Sequence, residues 1–180
     1  HYRETSATLL ALARNFVELG NIQKARDFIN NALQTGLENS DTLIQAAAYR
    51  ELSYLLAEVN QPDSALNYSH RGLALFKKKG DSLEISVLYG RKSRIFFEKK
   101  DYSESKRYAY QALIIDSLVG NRRGLGISYF QVAQNEYVLG NINKAIGQLR
   151  QSIRINSDIG NLTWQIKAHE LLAAFYLGQD

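Results

Sequence analysis

Gly80, Gly120 and Gly160 stand forty residues apart, and each is followed by an Asp or Asn, at Asp81, Asn121 and Asn161. Ser40 and Asp41 take the same place one row earlier. Glycine just past a helix end supplies the left-handed backbone that reverses the chain, and the Asp or Asn after it caps the free N–H groups of the next helix. A second series of joints falls half a row away, at Gly20-Asn21, Asn60-Gln61, Lys100-Asp101 and Gly140-Asn141. Pro62 follows one of them at a first helical position, where a missing N–H costs least. Two joints per forty residues predict an all-α chain of antiparallel helix pairs, with rows at 1–40, 41–80, 81–120 and 121–160 and a half row at 161–180 that opens a ninth helix.

Composition agrees with helices and narrows the chemistry. A single Pro, no Cys and no Met accompany many Ala, Leu, Ile and Tyr residues, and no segment alternates strongly. Without cysteine there is no disulfide and no thiolate metal site, and the compartment stays open. No apolar run approaches the roughly 18 residues that would span a bilayer. The chain opens on His1 without an initiator Met and stops just after an apolar helical run, so it reads as a piece of a longer protein.

The columns between joints predict how the helices pack. In the first helix of each row Leu9, Tyr49, Tyr89, Tyr129 and His169 align, then Ala13, Ser53, Ser93, Ala133 and Ala173, then Phe16, Leu56, Phe96, Glu136 and Tyr176. Steps of four and three put these columns on one face. Small residues there let a neighbouring backbone approach while the large ones fill the space around it. In the second helix Ala25, Ala65, Ser105 and Ala145 align, as do Ala32, Gly72, Ala112 and Ser152, the expected contacts of an antiparallel pair.

This order, clearest in "YRELSYLL" (49–56), "LGNIQKARDFINNAL" (19–33) and "LGNINKAIGQLRQSI" (139–153), resembles the tetratricopeptide repeat along essentially the whole chain. The period departs from the common 34 residues, and Leu37, Lys77, Ser117 and Ser157 replace the usual Pro near the end of the second helix. Period alone would also allow HEAT or armadillo arrays, against which the small-residue columns argue. The resemblance implies one right-handed α-solenoid, a superhelix whose first helices line a concave groove, in an extended form found in scaffold and bacterial regulatory proteins.

On that groove the columns beside the packing face carry Leu10, Arg50, Gly90, Phe130 and Glu170, then Arg14, Tyr54, Arg94, Gln134 and Ala174, then Val17, Ala57, Phe97, Tyr137 and Leu177. We expect Arg14, Arg50, Tyr54, Arg94, Phe130, Gln134 and Tyr137 to bind a protein or peptide segment. Arg and aromatic residues are enriched in binding hot spots, and recurring Arg forks suit an acidic partner. The Lys and Asn clamp by which some tetratricopeptide proteins hold chaperone C-termini is not matched, since Leu10, Arg14, Glu51, Val87 and Arg91 occupy those places.

Two further segments need a reading. "GNRRGLG" (120–126) looks like a phosphate loop, yet no strand feeds it and no Lys-Ser/Thr follows Gly126. Gly120 is a joint glycine, whereas Gly124 and Gly126 fall inside the next helix, where close packing against the preceding repeat accounts for them; Arg122 and Arg123 leave only a weak anion site. From Arg71 to Arg107 eleven Lys or Arg face five acids, a basic band that offers nucleic-acid binding as an alternative. The apolar ninth helix, "TWQIKAHELLAAFYL", offers self-association as another, because it expects a following helix or a second copy. No enzymatic activity, cofactor or metal is expected: His1, His70 and His169 are scattered, and His169 in the Tyr column reads as a packed ring. The leading expectation is a protein-interaction module, the sensing or scaffolding part of a larger regulator.

Overall fold

The computed structural model describes residues 1–178, in which nine helices and no strand occur: α1 (Tyr2–Glu18), α2 (Ile22–Glu38), α3 (Thr42–Glu58), α4 (Pro62–Lys79), α5 (Ser82–Glu98), α6 (Tyr102–Leu118), α7 (Arg122–Val138), α8 (Ile142–Asp158) and α9 (Leu162–Leu177). Gln179 and Asp180, which the half row included, lie outside the described residues. The chain forms two compact units, one spanning His1–Glu84 and one beginning at Ile85.

Every joint uses the left-handed backbone, with φ from 50° at Ser40 to 82° at Gly140. Asn60 and Lys100 adopt it without glycine, at 56° and 62°. Behind each joint the N–H of the following residue reaches back to a carbonyl in the last turn, as from Asn21 to Phe16 (2.8 Å), Asp101 to Phe96 (2.9 Å) and Asn161 to Asn156 (2.8 Å). Side chains of Asn21, Asp41, Asp81, Asp101 and Asn121 then accept from N–H groups of the next helix. Asn141 and Asn161 depart from this expected role and make no side-chain cap bond; the Asn141 amide donates to Glu136 Oε2 at 2.7 Å.

Within the units, α1 packs on α2 and α3, and α3 on α4; α7 packs on α6, α8 and α9. Ser86 meets Asp116 while Ser93 meets Ser105, the crossed order of an antiparallel pair. Rings from the two helices of a pair meet: Phe16 with Phe28 at 5.5 Å, Tyr49 with Tyr68 at 5.9 Å, Tyr89 with Tyr108 at 5.7 Å. Between them lie the small residues, since Ala13, Ser53 and Ala133 are fully buried, as are Ala25, Ala65, Ser105 and Ala145 opposite. Enlarging Ala133 to Leu is therefore expected to overpack the cluster of Ala145, Leu149, Ala168 and Phe175 and cost about 1–3 kcal/mol. An unchanged melting point for Ala133→Leu, or for Ala13→Leu in the first unit, would contradict this packing.

Two expectations need correction. His169 is not a packed ring: with Ala173 and Tyr176 it stands exposed, because no second helix covers that face of α9 among the described residues. Leu10 and Val17, placed beside the groove by spacing, are buried instead, since α1 turns that edge onto α3.

Candidate functional site on the first helices

The residues expected to bind a partner divide between the two units. In the first unit, Arg14 of α1 donates to Glu51 of α3, from Nη2 at 2.5 Å and from Nε at 3.3 Å. Arg50 Nη2 approaches the same carboxylate at 2.8 Å, and its Nη1 pairs with Glu84 in the first turn of α5. Glu51 is 1% exposed, so a charge that water would otherwise solvate is held by two guanidinium forks. Burial opposes the charge on Arg50, yet the Glu51 and Glu84 carboxylates hold its guanidinium protonated, above the ordinary arginine value. The side chain of Arg50 is 14% exposed and that of Arg14 44%. Arg50 is thus largely buried between two carboxylates, while nearly half of the Arg14 side chain stays open to solvent. Tyr54 stands half-buried one turn further along α3.

In the second unit, Arg94 of α5 lies 3.7 Å from Glu98 with 39% of its side chain exposed. On α7, Phe130 meets Trp164 edge-on at 5.3 Å and Tyr137 stacks on Phe175 at 3.9 Å, so both rings fasten α9 while keeping a partly open edge. Gln134 lies half-buried between them in sequence. Gly90 of α5 faces α7, with Gln131 Nε2 donating to its carbonyl at 3.0 Å.

Sequence columns missed the buried carboxylates. Glu136, with no exposed surface, accepts from Lys144 (2.8 Å), Lys106 (3.1 Å), Tyr110 (2.7 Å) and Asn141 (2.7 Å). Burial would raise its pKa, but these donors prevail and hold it at about 2. Asp116, 1% exposed, accepts from Ser86 (2.6 Å), Ser128 (2.7 Å) and Asn121 (2.8 Å). The only early signal was a Glu at 136 in a column otherwise held by Phe, Leu and Tyr. Each carboxylate joins consecutive helices through donors from several of them, which is a fastening arrangement.

The basic band is partly consumed by the fold. Lys92 is 1% exposed with its ammonium 4.2 Å from the Tyr108 ring, Lys106 serves Glu136, and Arg107 is paired with Glu104. At the other motif, Arg122 donates to Asp158 at 2.9 Å and Gly124 backs onto Asp116 of the preceding row. Gly126 instead backs onto Asn156 of α8 in its own row, which corrects the expectation for that residue. No group of three His, Asp or Glu side chains that could hold a metal occurs among the described residues, and none of their helices is long and apolar enough to cross a membrane.

No protein-family model matches the chain, and no curated protein matches it. Solved structures do. A STAND ATPase with a tetratricopeptide repeat sensor from Pyrococcus horikoshii superposes with a TM-score of 0.80 at 19% identity, over 98% of this chain and 28% of that one. BtubC from P. vanneervenii gives 0.73 at 16% identity over 89% of this chain and 66% of that one. Tetratricopeptide-like repeats of a kinesin light chain from Podospora anserina give 0.72 at 17% identity over 99% and 88%. The chain thus spans little more than a quarter of the STAND protein's length. The fold is that of the tetratricopeptide-like helical solenoids.

Proposed function

We propose that the chain is a protein-interaction module which binds an acidic segment of a partner on its first-helix face, as the sensing or scaffolding part of a larger regulator. The observation that carries the reading is the pair of half-exposed cations, Arg14 and Arg94, each set among first-helix residues in its own unit. Guanidinium forks match carboxylates bidentately, and the partly exposed rings of Tyr54, Phe130 and Tyr137, with the amide of Gln134, add the large, stiff contact surfaces that dominate interfaces. The regulator context is supported by the STAND neighbour, whose repeat region is described as a sensor.

Arg50 enters the proposal as the residue that positions Glu51 beneath Arg14, so the charge-reversal test spares it. The test is affinity capture from nuclease-treated lysate of the source cell with the natural chain and with Arg14→Glu, Arg94→Glu, matched for helicity. A protein captured by the first and weakened by about tenfold or more in the second is the expected result, in line with truncated charge pairs at interfaces. Partners retained equally by both would move the site off this face.

A further inference from the structure

We infer that the cleft between the start of α7 and the joint of α8 with α9 binds a carboxylate carried on a short apolar stem. Its donors are the Arg123 guanidinium, the Asn161 amide and the first N–H groups of α9. The site shares no residue with the first-helix face proposed above and goes beyond that reading.

The first row of the chain shows the same arrangement with its acid in place. Arg3, in the first turn of α1, donates from Nε to Asp41 Oδ2 at 2.6 Å. Asp41 Oδ1 accepts from the N–H groups of Leu43 and Ile44, which open α3, at 3.1 and 3.3 Å. One carboxylate thus joins a guanidinium to a helix N-terminus. The forty-residue register sets Arg123 in the place of Arg3, Asn161 in that of Asp41, and Thr163 and Trp164 in those of Leu43 and Ile44. The second and third rows hold Leu43 and Leu83 at the arginine position, so the cation recurs only in the fourth. There the acid is replaced by an amide.

The side chains register that replacement. Among the described residues Arg123 has no ion-pair or hydrogen-bond partner, since Asp158 is taken by Arg122. Asn161 makes no cap bond to α9, and its Nδ2 is buried without an acceptor. An amide carries no charge to answer a guanidinium, and its NH2 adds donors to a place already rich in them. Arg123, Asn161 and Thr163 line one cleft of about 560 Å³, whose apolar walls are Ile159 and Leu162. That volume suits a small ligand. Asp41 identifies the group the donors match, and Leu162, 66% exposed, gives an aliphatic stem a surface to cover. The edge stays open where further helices follow: α3 and α4 continue the array beyond Arg3, whose side chain is 68% exposed.

The test is titration with isovalerate at constant ionic strength in chloride. Trp164, the chain's single tryptophan, reads it by fluorescence, and the backbone amide resonances of Thr163 and Trp164 locate it. Saturable binding that shifts both amides is expected, with no binding of the neutral isovaleramide. Arg123→Ala, altered at an exposed and unpaired side chain, is expected to weaken binding by about tenfold or more. Asn161→Asp supplies the acid from within the chain, so it is expected to abolish binding and raise the thermal midpoint. A peptide ending in valine, with its C-terminus free or amidated, separates the sources. Tighter binding of the free form than of isovalerate assigns the carboxylate to a polypeptide terminus, and weaker binding assigns it to a free small acid; both uphold the site. No saturable response, an equal response to isovaleramide, undiminished binding by Asn161→Asp, or a response to inorganic phosphate alone overturns the proposal.

Discussion

Replacing Glu136 with alanine is expected to cost about 3–5 kcal/mol, the usual loss when one member of a buried charge cluster is removed. The carboxylate has no exposed surface and gathers donors from α6, α8 and the joint at Asn141. Without it the Tyr110 hydroxyl and the Asn141 amide lose their acceptor and Lys106 loses its ion-pair partner. Lys144, whose side chain is 51% exposed, turns to water, so Lys144→Ala is expected to cost less than about 1 kcal/mol. The pair of variants separates a buried anchor from its solvated partner.

The same carboxylate sets an acid limit. Its folded pKa of about 2 lies below the ordinary glutamate value of 4.5, so the stabilisation it gives is complete above 4.5 and is lost as pH falls through 2. That depression corresponds to about 3 kcal/mol at most, because Lys144 is half in water. Denaturant midpoints measured from pH 7 to pH 2 are expected to fall steeply below pH 4.5 for the natural chain. Glu136→Gln is expected to start lower at pH 7 and to decline less, and parallel curves would show that the network does not govern acid stability.

These carboxylates also mark the limit of what the sequence makes legible. Joints are legible because a left-handed φ and a free N–H are local demands, answered within two residues by Gly, Asn or Asp. Even Ser40 and Lys100, poor choices for that backbone, fall in register because their neighbours are not. Small-residue columns are legible for a similar reason, since a repeated close approach imposes a repeated size. Glu136 is served from Lys106 and Tyr110, a full helix and a joint away, and no periodicity announces such a partner. Arg50 shows the converse: its spacing sets it beside the groove columns but does not announce the two carboxylates on its guanidinium, from its own neighbour and from Glu84, 34 residues on. A column gives the direction of a side chain without saying which charge waits there.

Two helical glycines should answer substitution with opposite signs. Gly147 lies inside α8 with nothing within 4 Å of a Cβ added there, so Gly147→Ala is expected to stabilise by about 0.5–1 kcal/mol through the entropy removed from the unfolded chain. Gly126 lies inside α7, where an added Cβ would come within 2.7–3.0 Å of the Asn156 side chain. Asn156 cannot step aside cheaply. It is fully buried, and its amide donates to the Ser152 carbonyl at 2.9 Å. The alternative is for α7 and α8 to part, which breaks the 2.7 Å bond from the Ser152 hydroxyl to the Gly126 carbonyl. Either route leaves a buried polar group unpaired or loosens a packed pair, so Gly126→Val is expected to lose about 2–4 kcal/mol. In Gly126→Ala the better helix propensity offsets part of the crowding, and the variant should fall between the other two. Thermal midpoints ordered Gly147→Ala, natural chain, Gly126→Ala, Gly126→Val would place the origin of "GNRRGLG" in helix contact. Equal midpoints for Gly126→Val and the natural chain would mean that the second unit yields at this contact and that the glycine has another cause.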